Sequence, residues 1–179
     1  AGGTRDVWTY DVARATMSRL TTDAADDQFP LWTLDGQRII FTSRRGGRLE
    51  LFSQRADGTG QAERLWTPEG SPGALAAEDW SPDGRRLVFV QLRGSPDIGV
   101  LSMEGEPKAE PLIQTEFNEN HPAISPGGRW IAYDSNLSGP FEIYVERFPE
   151  LGDRQKISTS GGVVPLWSPD GRELFYLSI

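Results

Sequence analysis

The residues of this 179-residue chain best suited to chemistry are carboxylates that recur just ahead of apolar runs: Asp26 and Asp27, Glu78 and Asp79, then Glu119. Gln28, Asn120 and His121 stand beside them, and Arg44, Arg45 and Arg48 in "SRRGGR" and Arg93 in "QLRGSP" follow in glycine-bearing segments. An imidazole among carboxylates and amides can act as a general base or as a metal ligand. His121 is the only histidine and there is no cysteine, so neither a second imidazole nor a thiolate is at hand for a zinc-type site. "DAADD" lacks the spacing and the glycine of a calcium loop. No nucleophile-elbow Gly-x-Ser-x-Gly, no phosphate-cradling glycine loop and no Ser/His/Asp set in a recognisable context is present, and "STSGG" reads as a plain loop. The expectation is a chain with no enzyme activity, no cofactor and no metal.

The elements that would position these groups follow from a repeat. Trp32, Trp80, Ile124 and Trp167 mark one phrase, each followed by a turn at Asp35-Gly36, Asp83-Gly84, Gly127-Gly128 and Asp170-Gly171. A second phrase alternates with it, anchored at Val7, Leu51, Ile98 and Ile143, and a short run ending near Leu20, Leu65, Leu112 and Ile157 completes the unit. Alternating β-branched and aromatic residues bounded by Gly, Pro, Asp and Ser predict four short strands per unit, here called a to d. In "SPDG" the proline presets a type I turn and the glycine takes a left-handed position, so strand a turns tightly into strand b. Periods of roughly 40–50 residues with four strands each point to an all-β fold, a β-propeller of four-stranded antiparallel blades.

The expected organisation is one propeller domain over 1–179. Strands c and d of a split blade fall in 1–22, whole blades in 27–67, 77–115 and 119–160, and strands a and b of the split blade in 163–179. The tryptophans of the first phrase recur at the repeat period, as residues packed between blades would. The formal charge of −8, from 18 Lys plus Arg against 26 Asp plus Glu, disfavours nucleic acid and anionic lipid as partners. No apolar run is long enough to predict membrane insertion.

The pattern Pro-x-Trp-Ser-Pro-Asp-Gly, apolar strand, Ser-x-Arg-like loop, Ile-Tyr-Val-like strand and Leu-Thr resembles the TolB-type propeller repeat, a WD-repeat-like family. It is also similar to propellers that precede prolyl-oligopeptidase-type peptidase domains and to sensor regions of bacterial Ser/Thr kinases. Departures are Leu34 for the turn proline in the first copy, and Ile124 and Gly127 in the third. The resemblance implies the fold, a bacterial source and a periplasmic or extracytoplasmic setting.

If strands a line a central channel, the d-to-a loops bring Asp26, Asp27, Gln28, Glu78, Asp79, Glu119, Asn120 and His121 to one mouth. The b-to-c loops add Arg44, Arg45 and Arg93 on the same face. Two readings of those charges stand: Arg–carboxylate pairs between blades, or a ligand site. The functional expectation is a non-catalytic binding or scaffolding module for a protein or peptide at that mouth. The alternative is an accessory, substrate-gating or sensor propeller of a larger peptidase or kinase. A count of eight residues from Ser178 to Val7, with Gly2-Gly3 between, matches the count from Ser43 to Leu51. The halves of the split blade are therefore complementary. Pairing within one chain would close a four-bladed monomer, and pairing between two chains an eight-bladed homodimer.

Overall fold

The computed structural model describes residues 5–70 and 72–179, so Gly2 and Gly3 lie outside the described residues. All sixteen elements are strands, arranged in five antiparallel sheets in which sequence neighbours pair. A two-stranded sheet of β1 (Trp8–Asp11) and β2 (Thr16–Arg19) comes first. Three four-stranded sheets follow: β3 (Asp27–Trp32), β4 (Arg38–Ser43), β5 (Glu50–Arg55) and β6 (Glu63–Trp66) form the first. The second holds β7 (Ala74–Trp80), β8 (Arg86–Arg93), β9 (Ser95–Ser102) and β10 (Lys108–Ile113). The third holds β11 (Glu119–Ile124), β12 (Trp130–Ser135), β13 (Glu142–Arg147) and β14 (Gln155–Lys156). β15 (Val163–Trp167) and β16 (Leu174–Leu177) make a last two-stranded sheet. Two compact units contain these sheets, residues 1–77 and 78–179, with the boundary inside β7. No helix among the described residues is long and apolar enough to cross a membrane.

The "PDG" grammar works as its chemistry requires. The amides of Gly36, Gly84, Gly128 and Gly171 donate to the carbonyls of Thr33, Ser81, Ser125 and Ser168 at 2.7–2.9 Å. Each of these glycines has a φ between 65° and 71°, where a side chain would be strained. The Ser81 hydroxyl accepts from Arg86 N at 2.9 Å and donates to Asp83, so the side chain closes the turn a second time. Hydrogen bonding from Ser81 holds the Asp83 carboxyl below the usual carboxylate range. Gly60, which the sequence places in a looser loop, also has a left-handed φ of 75° and is under the same constraint.

Burial is concentrated on the middle strands. β4, β5, β12 and β13 are buried over nearly their whole length, whereas β2 is exposed throughout. At the centre of the first four-stranded sheet Phe41 lies opposite Phe52, ring centroids 6.2 Å apart. In the third, Tyr133 lies opposite Tyr144 at 5.8 Å. The second sheet solves the same problem with one ring: Phe89 faces Gly99, where an added Cβ would lie 2.3 Å from the ring.

The tryptophan slot is not uniform. Trp80 is buried at 8% exposure and Trp167 half-buried, its indole N–H donating to Ala123 O at 3.0 Å. Trp32 is 53% exposed, which corrects the expectation that all three are packed between blades. The Trp167 indole bond ties β15 to β11.

The difference is measurable. Trp80→Ala is expected to lower the unfolding free energy by roughly 3–5 kcal/mol in urea denaturation, as for other emptied aromatic core sites. Trp32→Ala is expected to cost less than about 1 kcal/mol. Equal losses at the two sites would contradict this packing.

Candidate ligand-binding site

In the first unit the acidic residues ahead of β3 are occupied within the fold. Arg5 N donates to Asp26 Oδ1 and Arg5 Nη1 to Gln28 Oε1, both at 2.7 Å. Asp27 is buried, and its Oδ2 receives Arg45 Nη2 at 2.9 Å. The Arg45 guanidinium lies 4.8 Å from the Phe52 ring centroid and 5.2 Å from that of Phe41. A buried carboxylate needs such a partner, because its desolvation is repaid only by a well-placed counter-charge and hydrogen bonds. Arg44 is exposed, and Arg48 lies 3.8 Å from the buried Glu50, which also accepts from Thr67 Oγ1 at 2.6 Å.

In the second unit, Asp79 and Glu119 also turn inward. Asp79 accepts from its neighbour Trp80 N at 2.8 Å and from Ile124 N at 2.7 Å, which ties the end of β7 to β11. Glu119 is buried and accepts from Thr115 Oγ1 at 2.6 Å and Ser135 Oγ at 3.2 Å. Burial raises the Asp79 and Glu119 carboxyls above the usual range. Arg93 is exposed at the end of β8, where its charge attracts Asp97, and Asn120 is half-buried opposite Asp134.

His121 and Glu78 remain turned toward solvent. His121 has a φ of 48° in a β-bulge between Asn120 and Ala123. Bulges redirect side chains, and a non-glycine residue at positive φ is costly enough to need support from its surroundings. The same left-handed step occurs at Phe29 (54°) and Val164 (56°), each inside a bulge of its own strand a. His121 Nδ1 lies 2.7 Å from Asp134 Oδ1. Asp134 is buried on β12 and also accepts from Val164 N at 3.0 Å. With the Nδ1–H donating to Asp134 Oδ1, Nε2 is the atom that this half-exposed ring can offer to a ligand. Glu78 is half-buried close enough to feel the charges of His121, Asp134 and Asp79, and burial raises its carboxyl. Among the described residues Glu78 has no Lys or Arg partner. The Asp134 hydrogen bond raises the His121 imidazole.

Asp134 is the member that sequence reading missed. Its strand position holds Thr42 in the first four-stranded sheet and Val90 in the second, as the pairings with Leu51, Ile98 and Ile143 show. A charged residue inside an otherwise apolar strand was the available signal. Among the described residues no group of three or more His, Asp or Glu side chains is arranged to hold a metal ion.

No family model matches the chain. Over 104 residues, 58% of this chain, it is 31% identical to the Tol-Pal system protein TolB of Anaeromyxobacter dehalogenans, and the match spans 23% of that protein. The chain thus spans about a quarter of the length of the curated relatives it matches. Its fold is similar to the crystal structure of TolB from Acinetobacter baumannii, with a TM-score of 0.75 and 20% identity over 94% of this chain and 42% of that one. A putative TolB from Agrobacterium tumefaciens gives a TM-score of 0.76 with 21% identity, over 90% of this chain and 58% of that one. The repeat is similar to that of these bacterial TolB proteins, and the fold is that of a β-propeller.

With one histidine, the imidazole is directly readable by NMR. His121 is expected to titrate above about 6.5, the unperturbed value, and Asp134→Asn to bring it back toward that value. The contribution of this pair to stability is complete below about pH 6.5 and fades as pH rises through the raised folded value. A His121 titration unchanged by Asp134→Asn would contradict the pairing.

Proposed function

We propose that this propeller is a non-catalytic binding module that takes a protein or peptide ligand in its second unit, where the end of β7 meets the start of β11. The ligand presents a basic group to Glu78, beside the half-exposed His121 ring. The observation that supports it is the division of labour among the carboxylates. Asp27, Asp79 and Glu119 each accept hydrogen bonds inside the fold, whereas Glu78 is half-buried with no Lys or Arg partner among the described residues, beside the half-exposed imidazole. A guanidinium or ammonium group would relieve that desolvated charge, and a net charge of −8 favours its approach. The relatives are named as Tol-Pal system proteins, which fits a role in a protein assembly.

A parallel pull-down tests this reading. A partner captured by the wild-type chain at low salt is expected to be lost at least tenfold with Glu78→Lys, with the melting temperature within about 2 °C of wild type. Glu78→Lys retaining the partner at full yield would overturn the site. Reversal of Asp27 or Glu119 is expected instead to unfold the chain, because each would bury an unpaired charge.

A second feature concerns association. The two-stranded sheets leave large apolar groups uncovered, Trp8, Tyr10 and Met17 on β1–β2 and Leu166, Phe175 and Leu177 on β15–β16. Exposed sheet faces and edges of this kind seek partners. We propose that further propeller strands cover them, supplied by a second copy when this chain is alone. Light scattering is then expected to give about twice the 19.8 kDa of one chain. A mass near one chain would overturn self-pairing.

A further inference from the structure

The turn from strand a to strand b is closed by an aspartate in three of the four copies. Asp35 Oδ1, Asp83 Oδ1 and Asp170 Oδ1 each accept from the hydroxyl two residues earlier, Thr33, Ser81 or Ser168, at 2.5–2.7 Å. Each also accepts from the amide two residues later, that of Gln37, Arg85 or Arg172, at 2.9–3.2 Å. The hydroxyl and then the amide hold all three carboxyls below the usual range, as donors aimed at the charged form do. The turn between β11 and β12 has Gly127 in the aspartate's place.

The rest of that turn is kept. Gly128 N donates to Ser125 O at 2.7 Å, and Trp130 N donates to Ser125 Oγ at 3.1 Å, as Arg38, Arg86 and Glu173 N do to Thr33, Ser81 and Ser168. Only the acceptor has gone: among the described residues neither the Ser125 hydroxyl proton nor the Arg129 amide has one. A Cβ added at Gly127 would meet only Arg129 Nε, at 4.0 Å. The guanidinium therefore stands where an aspartate side chain would begin, as Arg172 Nε stands 3.8 Å from Asp170 Oδ2. Arg85 has a further carboxylate in Glu104 at 3.3 Å, whereas Arg129 makes no ion pair among the described residues. Ser125 is 4% exposed, close to Ser81 at 3% and Ser168 at 8%, whose hydroxyls the exposed Asp83 and Asp170 reach.

Arg129 also lines a cavity of about 460 Å³ with Trp130, Arg147, Phe148 and Glu150. Phe148 is buried and Trp130 half-buried, so the wall is partly aromatic. Arg147 is paired with Asp153, and Glu150 makes no ion pair among the described residues.

We propose that the turn at residues 125–130 binds the carboxylate of a ligand with an aromatic or apolar body. The carboxylate takes the place of the turn aspartate, on the Arg129 amide and guanidinium and the Ser125 hydroxyl, and the body enters the cavity beside Trp130 and Phe148. A flat group with two oxygens fits, because hydroxyl and amide converge on one oxygen in the other three copies and the planar guanidinium takes the second. The site follows the end of β11, whereas His121 lies near its start, and it takes the opposite charge from the Glu78 site. It therefore stands or falls independently of that reading.

NMR of the ¹⁵N-labelled full chain tests it, with N-acetylphenylalanine, its neutral amide and inorganic phosphate added at constant ionic strength and neutral pH. The Arg129 amide and the Trp130 indole N–H are expected to shift saturably with N-acetylphenylalanine, about tenfold more tightly than with the amide or phosphate. Gly127→Asp supplies the carboxylate from within the chain. Gly127 is not in the left-handed region, so this variant is expected to melt no lower than wild type and to lose the response. Arg129→Gln is expected to weaken binding about tenfold, and it decides the matter alone if Gly127→Asp does not fold. No saturable shift with N-acetylphenylalanine would overturn the site. So would equal binding of the neutral amide, phosphate binding as tight as the carboxylate, a full response in folded Gly127→Asp, or an unchanged affinity in Arg129→Gln.

Discussion

Strands of about six residues in four-stranded sheets cannot bury their own faces, and everything else in this structure follows from that shortage of core. Each four-stranded sheet concentrates its burial on its two middle strands, most fully in the first and third, and leaves its last strand more exposed. The central contact is a cross-strand aromatic pair, Phe41 with Phe52 or Tyr133 with Tyr144. Where one ring is missing, at Gly99, the opposing Phe89 fills the space, and the sheet keeps its register through eight consecutive residue pairs. Small sheets become stable by stacking such faces, and this explains why the same grammar recurs through the chain.

Burial of the middle strands carries an electrostatic consequence. The strand ends still need polar residues to meet the loops, and carboxylates at those ends are taken out of water with the rest of the strand. The first unit answers with guanidinium groups, of which Arg45 is the most economical: one side chain neutralises Asp27, bonds Ser43 and covers two aromatic rings. In the second unit Arg154 meets the buried Glu146, and hydroxyls, amides and an imidazole take other buried carboxylates. Thr115 and Ser135 hold Glu119, backbone amides hold Asp79, and His121 meets Asp134. Hydroxyls and amides stabilise a carboxylate without cancelling its charge.

The candidate site depends on backbone strain as much as on charge. A strand a without its bulge would alternate regularly, and His121 would share its face with Glu119, two residues earlier. The left-handed step at His121 turns the ring toward Asp134 on the neighbouring strand and leaves Nε2 accessible. Equivalent steps at Phe29 and Val164 indicate that the bulge belongs to the repeat, while the imidazole belongs to one copy only.

The repeat, the all-β class and the hairpin turns are decided by sequence alone, because they rest on local rules: strand periodicity, and a Ser-Pro-Asp-Gly turn that closes with its own side chains. The bulges could not be read, since no glycine marks them and residues as unlike as phenylalanine, histidine and valine take the strained position. Tertiary structure alone decided which charges are spent. Asp27 and Glu119 occupy one place in the repeat, yet one meets Arg45 and the other a hydroxyl pair beside Leu137. Trp32 and Trp80 likewise share a slot in the repeat, yet one ring is exposed and the other buried. Sequence specifies the repeating unit because turns and strand pairing are local. The environment of each side chain depends on the neighbouring sheet, and residues some forty positions away in the chain determine it.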